Sequence, residues 1–206
     1  MNPSNMKRFA FSLSLLVLLH SSLGAAEAPI IDGKSPDGRF EVILIDGGEG
    51  FPAASIRDAK TKATLAGFIG GGYGNSLEVL SEEFNSKAAW NPDSTKVLVK
   101  TRGTKWSTEI GLFQLIGGKF VEQKLPDLYP AVLKDIGVSS IYRRAFTSPL
   151  RWVNDSTIVL KLEGDCDLPG LKPEESRRWF EYEAIIDLAN INSPSIKRLA
   201  LKDHNG

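Results

Sequence analysis

Trp90-Asn91-Pro92-Asp93-Ser94-Thr95-Lys96-Val97-Leu98-Val99 reads as an aromatic anchor, a Pro-Asp turn and then an apolar strand. Sixty-two residues on, it returns as Trp152-Val153-Asn154-Asp155-Ser156-Thr157-Ile158-Val159-Leu160, with six of nine aligned positions identical. An earlier copy, Ser35-Pro36-Asp37-Gly38-Arg39, precedes the apolar run Phe40 to Ile45. Proline presets φ for a turn, and an Asp carboxylate accepts backbone amides beside it, so each copy fixes the direction of the strand that follows. Asp37, Trp90, Asp93, Trp152 and Asp155 are therefore assigned to structural turns and not to catalysis.

Outward from these turns the chain reads as strands punctuated by Gly, Pro and Asn. Ala54–Asp58 and Ala63–Phe68 flank a polar turn, Ser107–Ile116 and Lys119–Gln123 flank Gly117-Gly118, and Trp179–Leu188 precedes a last strand at Ile196–Leu201. A pair of strands around a glycine turn is a hairpin signal. Tyr129–Ile136 is the one helical passage, with Pro130 at its start and Gly137 just past its end. Glu163–Arg178, polar and carrying Pro169-Gly170 and Pro173, reads as an inserted loop.

Aligned on Asp37, Asp93 and Asp155, the units are spaced by 56 and 62 residues. The expected fold is all-β, with about three four-stranded antiparallel propeller-like sheets near 29–86, 87–147 and 148–206, or alternatively a two-sheet β-sandwich. In its turn motifs the chain resembles the TolB-like class of β-propeller repeats, whose units carry a Trp-Ser-Pro-Asp-Gly-Lys type of motif before an apolar strand. The resemblance implies a propeller-like scaffold and, by itself, no particular function. Three departures stand out: Lys34 occupies the Trp position of the first unit, the third unit lacks the Pro, and three units fall short of the roughly four to eight blades of closed propellers.

Residues 1–26 have the layout of a secretory signal: Lys7 and Arg8, the apolar run Phe9–Leu19, then Gly24-Ala25-Ala26 before the expected cleavage. The apolar run is shorter than the roughly 20 residues that span a bilayer, so the mature chain is expected to be secreted or periplasmic with no membrane span. Without Lys7 and Arg8 the basic residues fall from 25 to 23 against 25 acidic ones. That balance gives no electrostatic case for nucleic acid.

The two histidines are His20, in the signal, and His204, in the tail. Their positions argue against a Ser-His-Asp triad, a Cys-His pair or a histidine-rich metal site, so no catalytic residue, metal or cofactor is expected. Cys166 stands alone and can form no intramolecular disulfide; an inert thiol or an interchain pair remains. Gly70-Gly71-Gly72-Tyr73-Gly74-Asn75 lacks the Lys-Ser/Thr of a phosphate-binding loop.

The candidate ligand-binding residues are Glu163, Asp165, Asp167, Arg177, Arg178, Trp179, Tyr73 and Arg143. Alternate carboxylates at Glu163, Asp165 and Asp167 could offer oxygens to a hard cation, but do not continue into a twelve-residue calcium pattern. The doublets Arg143-Arg144 and Arg177-Arg178 stand beside Tyr142 and Trp179, a combination suited to anions or sugars. The expectation is a non-enzymatic binding module for an unknown protein or glycan partner. A carboxylate-dependent hydrolase acting on glycans, or a structural subunit completed by homo-oligomerisation, is the alternative.

Overall fold

The computed structural model describes residues 25–46, 52–68, 77, 86–167, 177–190 and 193–203. The expected signal segment through residue 24, the glycine-rich loop with Tyr73 and residues 168–176 lie outside the described residues.

Among the described residues twelve strands form the fold, with a helix between the eighth and ninth. In chain order they are β1 (Glu27–Lys34), β2 (Phe40–Asp46), β3 (Pro52–Asp58), β4 (Thr64–Phe68), β5 (Lys87–Trp90), β6 (Lys96–Thr104), β7 (Ser107–Ile116) and β8 (Lys119–Gln123). After the helix α1 (Tyr129–Ile136) come β9 (Ile141–Asn154), β10 (Thr157–Asp167), β11 (Arg177–Asp187) and β12 (Ser195–Asp203). Consecutive strands pair antiparallel within β1–β4, β5–β8 and β9–β12. Single parallel bridges, Ile31 to Lys87 and Ser107 to Ala145, join the three runs into one open, mixed, twelve-stranded sheet. The all-β expectation holds at that level; the sheet does not close on itself.

The first two turns match bond for bond. The side-chain oxygens of Ser35 and Asn91 accept the amides five residues on, from Phe40 at 2.9 Å and Lys96 at 2.7 Å. Asp37 and Asp93 each accept the amide two residues on, from Arg39 at 3.0 Å and Thr95 at 2.9 Å. The residue between adopts positive φ in both, 73° at Gly38 and 61° at Ser94, a conformation costly for most side chains and free for glycine.

In the third unit the turn shortens. Thr157 pairs with Asn154 across it, and Asn154 Oδ1, in place of the Asp155 carboxylate, accepts the Ser156 amide at 2.9 Å. The acceptor role thus moves back one residue from Asp155. Asn154→Ala is accordingly expected to lower stability by about 1 kcal/mol, the net worth of a hydrogen bond or two. Asp155→Ala is expected to stay within about 0.5 kcal/mol of the parent, as exposed surface changes do; urea titration of the two variants checks the contrast.

Burial tends to raise the Asp37 pKa, but the Arg39 amide, the Arg39 guanidinium and the Ser35 hydroxyl prevail and bring it from 3.8 to about 2. Asp93 is lowered as well, burial being outweighed by the Thr95 hydroxyl and amide. A depressed folded-state pKa contributes stability that is present above the unfolded value and lost as pH falls through the folded one. Stability should therefore decline between about pH 4 and pH 2, and Asp37→Asn should flatten that decline in denaturation midpoints measured across the range.

Trp90 and Trp152 lock each unit to the one before. The Trp90 indole N–H donates to the Gly33 carbonyl at 3.0 Å, and that of Trp152 donates to the Ala89 carbonyl at 2.9 Å. Gly33 and Ala89 are 56 residues apart, the same spacing as Asp37 and Asp93, so the two staples are one contact repeated. The bridged pair Ile31 and Lys87 has this spacing too.

Two apolar cores follow from the strand pattern. Val97 and Val99 face Phe40, Val42, Leu44, Ala54 and Ile56 of the first unit, with Trp90, Phe113 and Phe120 between. Leu98 and Leu112 face Ile158, Leu160, Leu162, Phe180, Tyr182 and Ile186 of the third unit. Alternate residues of β6 thus enter opposite cores, and Val97 through Thr101 are all buried. Helix α1 closes the second core with Val132, its Asp135 accepting the Tyr182 hydroxyl at 2.7 Å. Pro130 in its first turn and Gly137 at φ 83° bound it as expected.

The first and third units carry ion pairs. Arg57 pairs with Glu27 and Glu41 at 2.7 Å each. Lys161 bridges Glu163 and Glu181 at 3.0 and 3.1 Å, beside Lys202–Glu183 and Lys197–Asp187.

The insertion is shorter than its composition suggests. Glu163–Asp167 belong to β10 and Arg177 and Arg178 to β11, paired from Glu163 with Glu181 to Asp167 with Arg177. Their polar side chains concealed a strand whose other face carries Leu162, Gly164 and Cys166. Likewise β9 runs continuously through the junction drawn between residues 147 and 148.

Candidate functional site

One end of the third unit gathers most of the singled-out residues. Between Gly164, opposite Ala145, and Cys166, opposite Ile141, β10 advances two residues while β9 advances four. The surplus is a bulge holding Arg143 and Arg144, and bulges commonly re-aim side chains. Asp165, only 3% exposed, fixes it: Oδ1 accepts the amides of Arg143 at 3.0 Å and Arg144 at 2.7 Å. The Ala145 amide then donates to the Trp106 carbonyl at 3.0 Å, which ties the bulge to the β6–β7 turn.

That turn presents Trp106. The Arg143 guanidinium carbon lies 3.6 Å from the centroid of its ring, with Lys105 at 5.0 Å and Arg144 at 5.5 Å. Such contacts attract a cation to the ring's negative face. Across β10, Trp179 stands opposite Asp165 and packs against Phe146, their centroids 6.4 Å apart at 40°. Arg178 stands opposite Cys166, its Nη1 donating to the Arg177 carbonyl at 3.1 Å. Five cations (Lys105, Arg143, Arg144, Arg177 and Arg178) thus share this end of the sheet with Asp165 and Asp167.

Arg143, Asp165, Asp167, Arg177, Arg178 and Trp179 are therefore neighbours along adjoining strands. Glu163 is not in this group: it sits further along β10 with Lys161, and its carbonyl accepts the Tyr129 hydroxyl at 3.4 Å. Asp165 is occupied by backbone amides, which leaves it a structural role. Among the described residues no group of three or more His, Cys, Asp or Glu side chains is placed to hold a metal ion. Cys166 is buried in the second core. Burial, with the charges of Asp167 and Asp165, pushes its thiol pKa up.

Comparison with known proteins adds no assignment: no protein-family model matches the chain, and no curated protein matches it. Among the described residues no helix is long and apolar enough to cross a membrane. Trp106 and Lys105 are the site residues that strand-and-turn reading passed over. The available signal was an aromatic in a hairpin turn, where little apolar burial is possible.

Proposed function

We propose that this chain is an exported, non-enzymatic binding module on a propeller-like repeat scaffold, and that it recognises an anionic ligand at the Trp106–Arg143 end. Three consecutive four-stranded antiparallel runs support the scaffold reading, the first two with matching turns and the second and third each stapled to the preceding one by a tryptophan. The N-terminal Lys-Arg and apolar run support export.

The observation that carries the binding reading is Arg143 held against the face of Trp106 by a buried carboxylate. A guanidinium lying on an aromatic ring keeps its N–H donors in its own plane, where a carboxylate, sulfate or phosphate can be met by two parallel bonds. Asp165 sets the backbone of both arginines beforehand, so less side-chain ordering remains to be done on binding.

The test is fluorescence titration with an oligogalacturonate and with a neutral dextran of equal length. The acidic chain should bind and the neutral one should not, and affinity should fall as salt rises. Trp106→Ala and Arg143→Ala should each weaken binding about tenfold or more, the loss of a charge-assisted contact. If folded variants bind as tightly as the parent, or the protein binds no acidic chain and instead hydrolyses a glycan, the proposal fails.

A further inference from the structure

The Trp106 turn and the arginine bulge belong to different units, since Trp106 lies between β6 and β7 and Arg143 in β9. Whatever holds these two elements in register is therefore part of the site. β7 and β9 run parallel through the bridge Ser107 to Ala145, where the Ala145 amide donates to the Trp106 carbonyl at 3.0 Å. Two residues further along both strands, a side chain takes the place of the next rung. The Thr147 amide donates to the Thr108 hydroxyl oxygen at 2.8 Å, and that hydroxyl donates to the Thr147 carbonyl at 2.9 Å. A regular parallel ladder would supply backbone partners here; instead one hydroxyl, donor and acceptor at once, meets both groups.

The seat of this hydroxyl is set from the third unit. Thr147 is 5% exposed, and its own hydroxyl lies 3.3 Å from that of Tyr129 on α1. The Tyr129 hydroxyl also reaches the Glu163 carbonyl of β10 at 3.4 Å.

The turn that carries Trp106 is braced within itself. The Trp106 amide donates to Thr104 Oγ1 at 3.1 Å, and the Thr104 and Ser107 hydroxyls are 2.8 Å apart. Those bonds stay inside the hairpin and do not reach β9. Ties to β9 come at the Trp106 carbonyl and, two residues on, at Thr108. One tie leaves a hairpin free to pivot, and a second, displaced along the strand, stops it. The Arg143 guanidinium carbon is 3.6 Å from the ring centroid, which is contact distance between carbon atoms, so a small pivot ends the contact.

We infer, on the anion-binding reading given above, that Thr108 is a positioning residue: it fixes the Trp106 hairpin on β9 so that the indole lies against Arg143. Asp165 sets the arginine half of the site and Thr108 the indole half. The site is thus assembled across the seam between the second and third units, and both halves are in place before a ligand arrives.

Thr108→Val keeps the branched shape and removes both bonds. Fluorescence titration of the full chain with oligogalacturonate should show it binding about tenfold more weakly than the parent, the scale of a lost polar contact. Thr108→Ser, which restores the hydroxyl, should recover most of the affinity. In an Arg143→Ala background Thr108→Val should cost no further affinity, because it acts through the contact already lost. Acrylamide quenching gives a reading that needs no ligand. The part of the fluorescence that Trp106→Phe removes should become more accessible in Thr108→Val, as the guanidinium leaves the indole. It should be unchanged in Asn154→Ala, which weakens a turn at the other end of β9. Unchanged Trp106 quenching in folded Thr108→Val would overturn the inference whatever the ligand, and so would undiminished binding of oligogalacturonate. A parent that binds no acidic chain, while Thr108→Val still uncovers Trp106, counts against the anion-binding reading alone and leaves Thr108 as the residue that places the indole.

Discussion

Trp90→Ala is expected to lower the unfolding free energy by about 3–5 kcal/mol, the range for removing a large aromatic from a core. Trp90 is 9% exposed and forms the centre of an aromatic group. It stacks on Phe40 at 6.1 Å and 16°, meets Phe120 edge-on at 5.6 Å, and Phe40 and Phe120 themselves touch at 5.1 Å. Phe40 belongs to the first unit and Trp90 and Phe120 to the second, so the truncation opens a cavity at the join between them. It also leaves the Gly33 carbonyl without its indole donor. Single domains are stable by only about 5–15 kcal/mol, so this variant should approach the limit of folding at room temperature. Trp90→Phe separates the two contributions: it keeps most of the ring volume and should cost mainly the lost hydrogen bond, about 1–3 kcal/mol for an acceptor left buried. Guanidinium titrations of both variants would show it. A loss below about 1 kcal/mol for Trp90→Ala, typical of an average substitution, would mean that the units do not depend on this join.

The contrast between Trp90 and Trp106 shows what sequence could and could not disclose. Trp90 announces itself because its surroundings are local and repeated: an Asx turn, an apolar strand and the same letters 62 residues on. Helix α1 was legible for a similar reason, since Pro130 and Gly137 fix its ends through their own backbone preferences. Glu163–Asp167 was not. In that strand the buried face is supplied by Gly164 and Cys166, small residues that give little hydrophobic alternation, while the carboxylates on the other face resemble a solvated loop. Pro149 also obscured β9, because proline weakens a strand reading in general; here it sits opposite Leu160 beside a register shift, where its missing N–H is tolerated.

The same reasoning makes the third unit's bulge more consequential than its sequence suggests. The exposed arginines that reach Trp106 depend on a strand distortion, and that distortion depends on two residues of β10, one small and one buried and charged. A Cβ at Gly164 would stand 2.5 Å from the Arg144 carbonyl oxygen and 2.6 Å from the Phe180 ring. Neither neighbour can yield cheaply: the carbonyl belongs to the bulge, and Phe180 is fully buried in the second core.

Gly164→Ala should therefore destabilise the protein by about 3 kcal/mol, the upper part of the range for overpacking, with the strain directed at the backbone of Arg144. Its signature extends beyond stability. Pushing that carbonyl away should shift Arg143 off Trp106, so the variant, measured under conditions where it remains folded, should also lose affinity for an acidic glycan. Asp165→Asn provides the complementary case. It adds no atoms, keeps one acceptor oxygen for the two amides, and removes the charge that strengthens those bonds, for a cost of about 1–3 kcal/mol. Denaturation and glycan titration run together on both variants distinguish a bulge that merely ends a strand from one that presents a binding residue. If Gly164→Ala loses stability while a folded sample binds like the parent, Arg143 does not need the bulge, and the site must be sought elsewhere on the molecule.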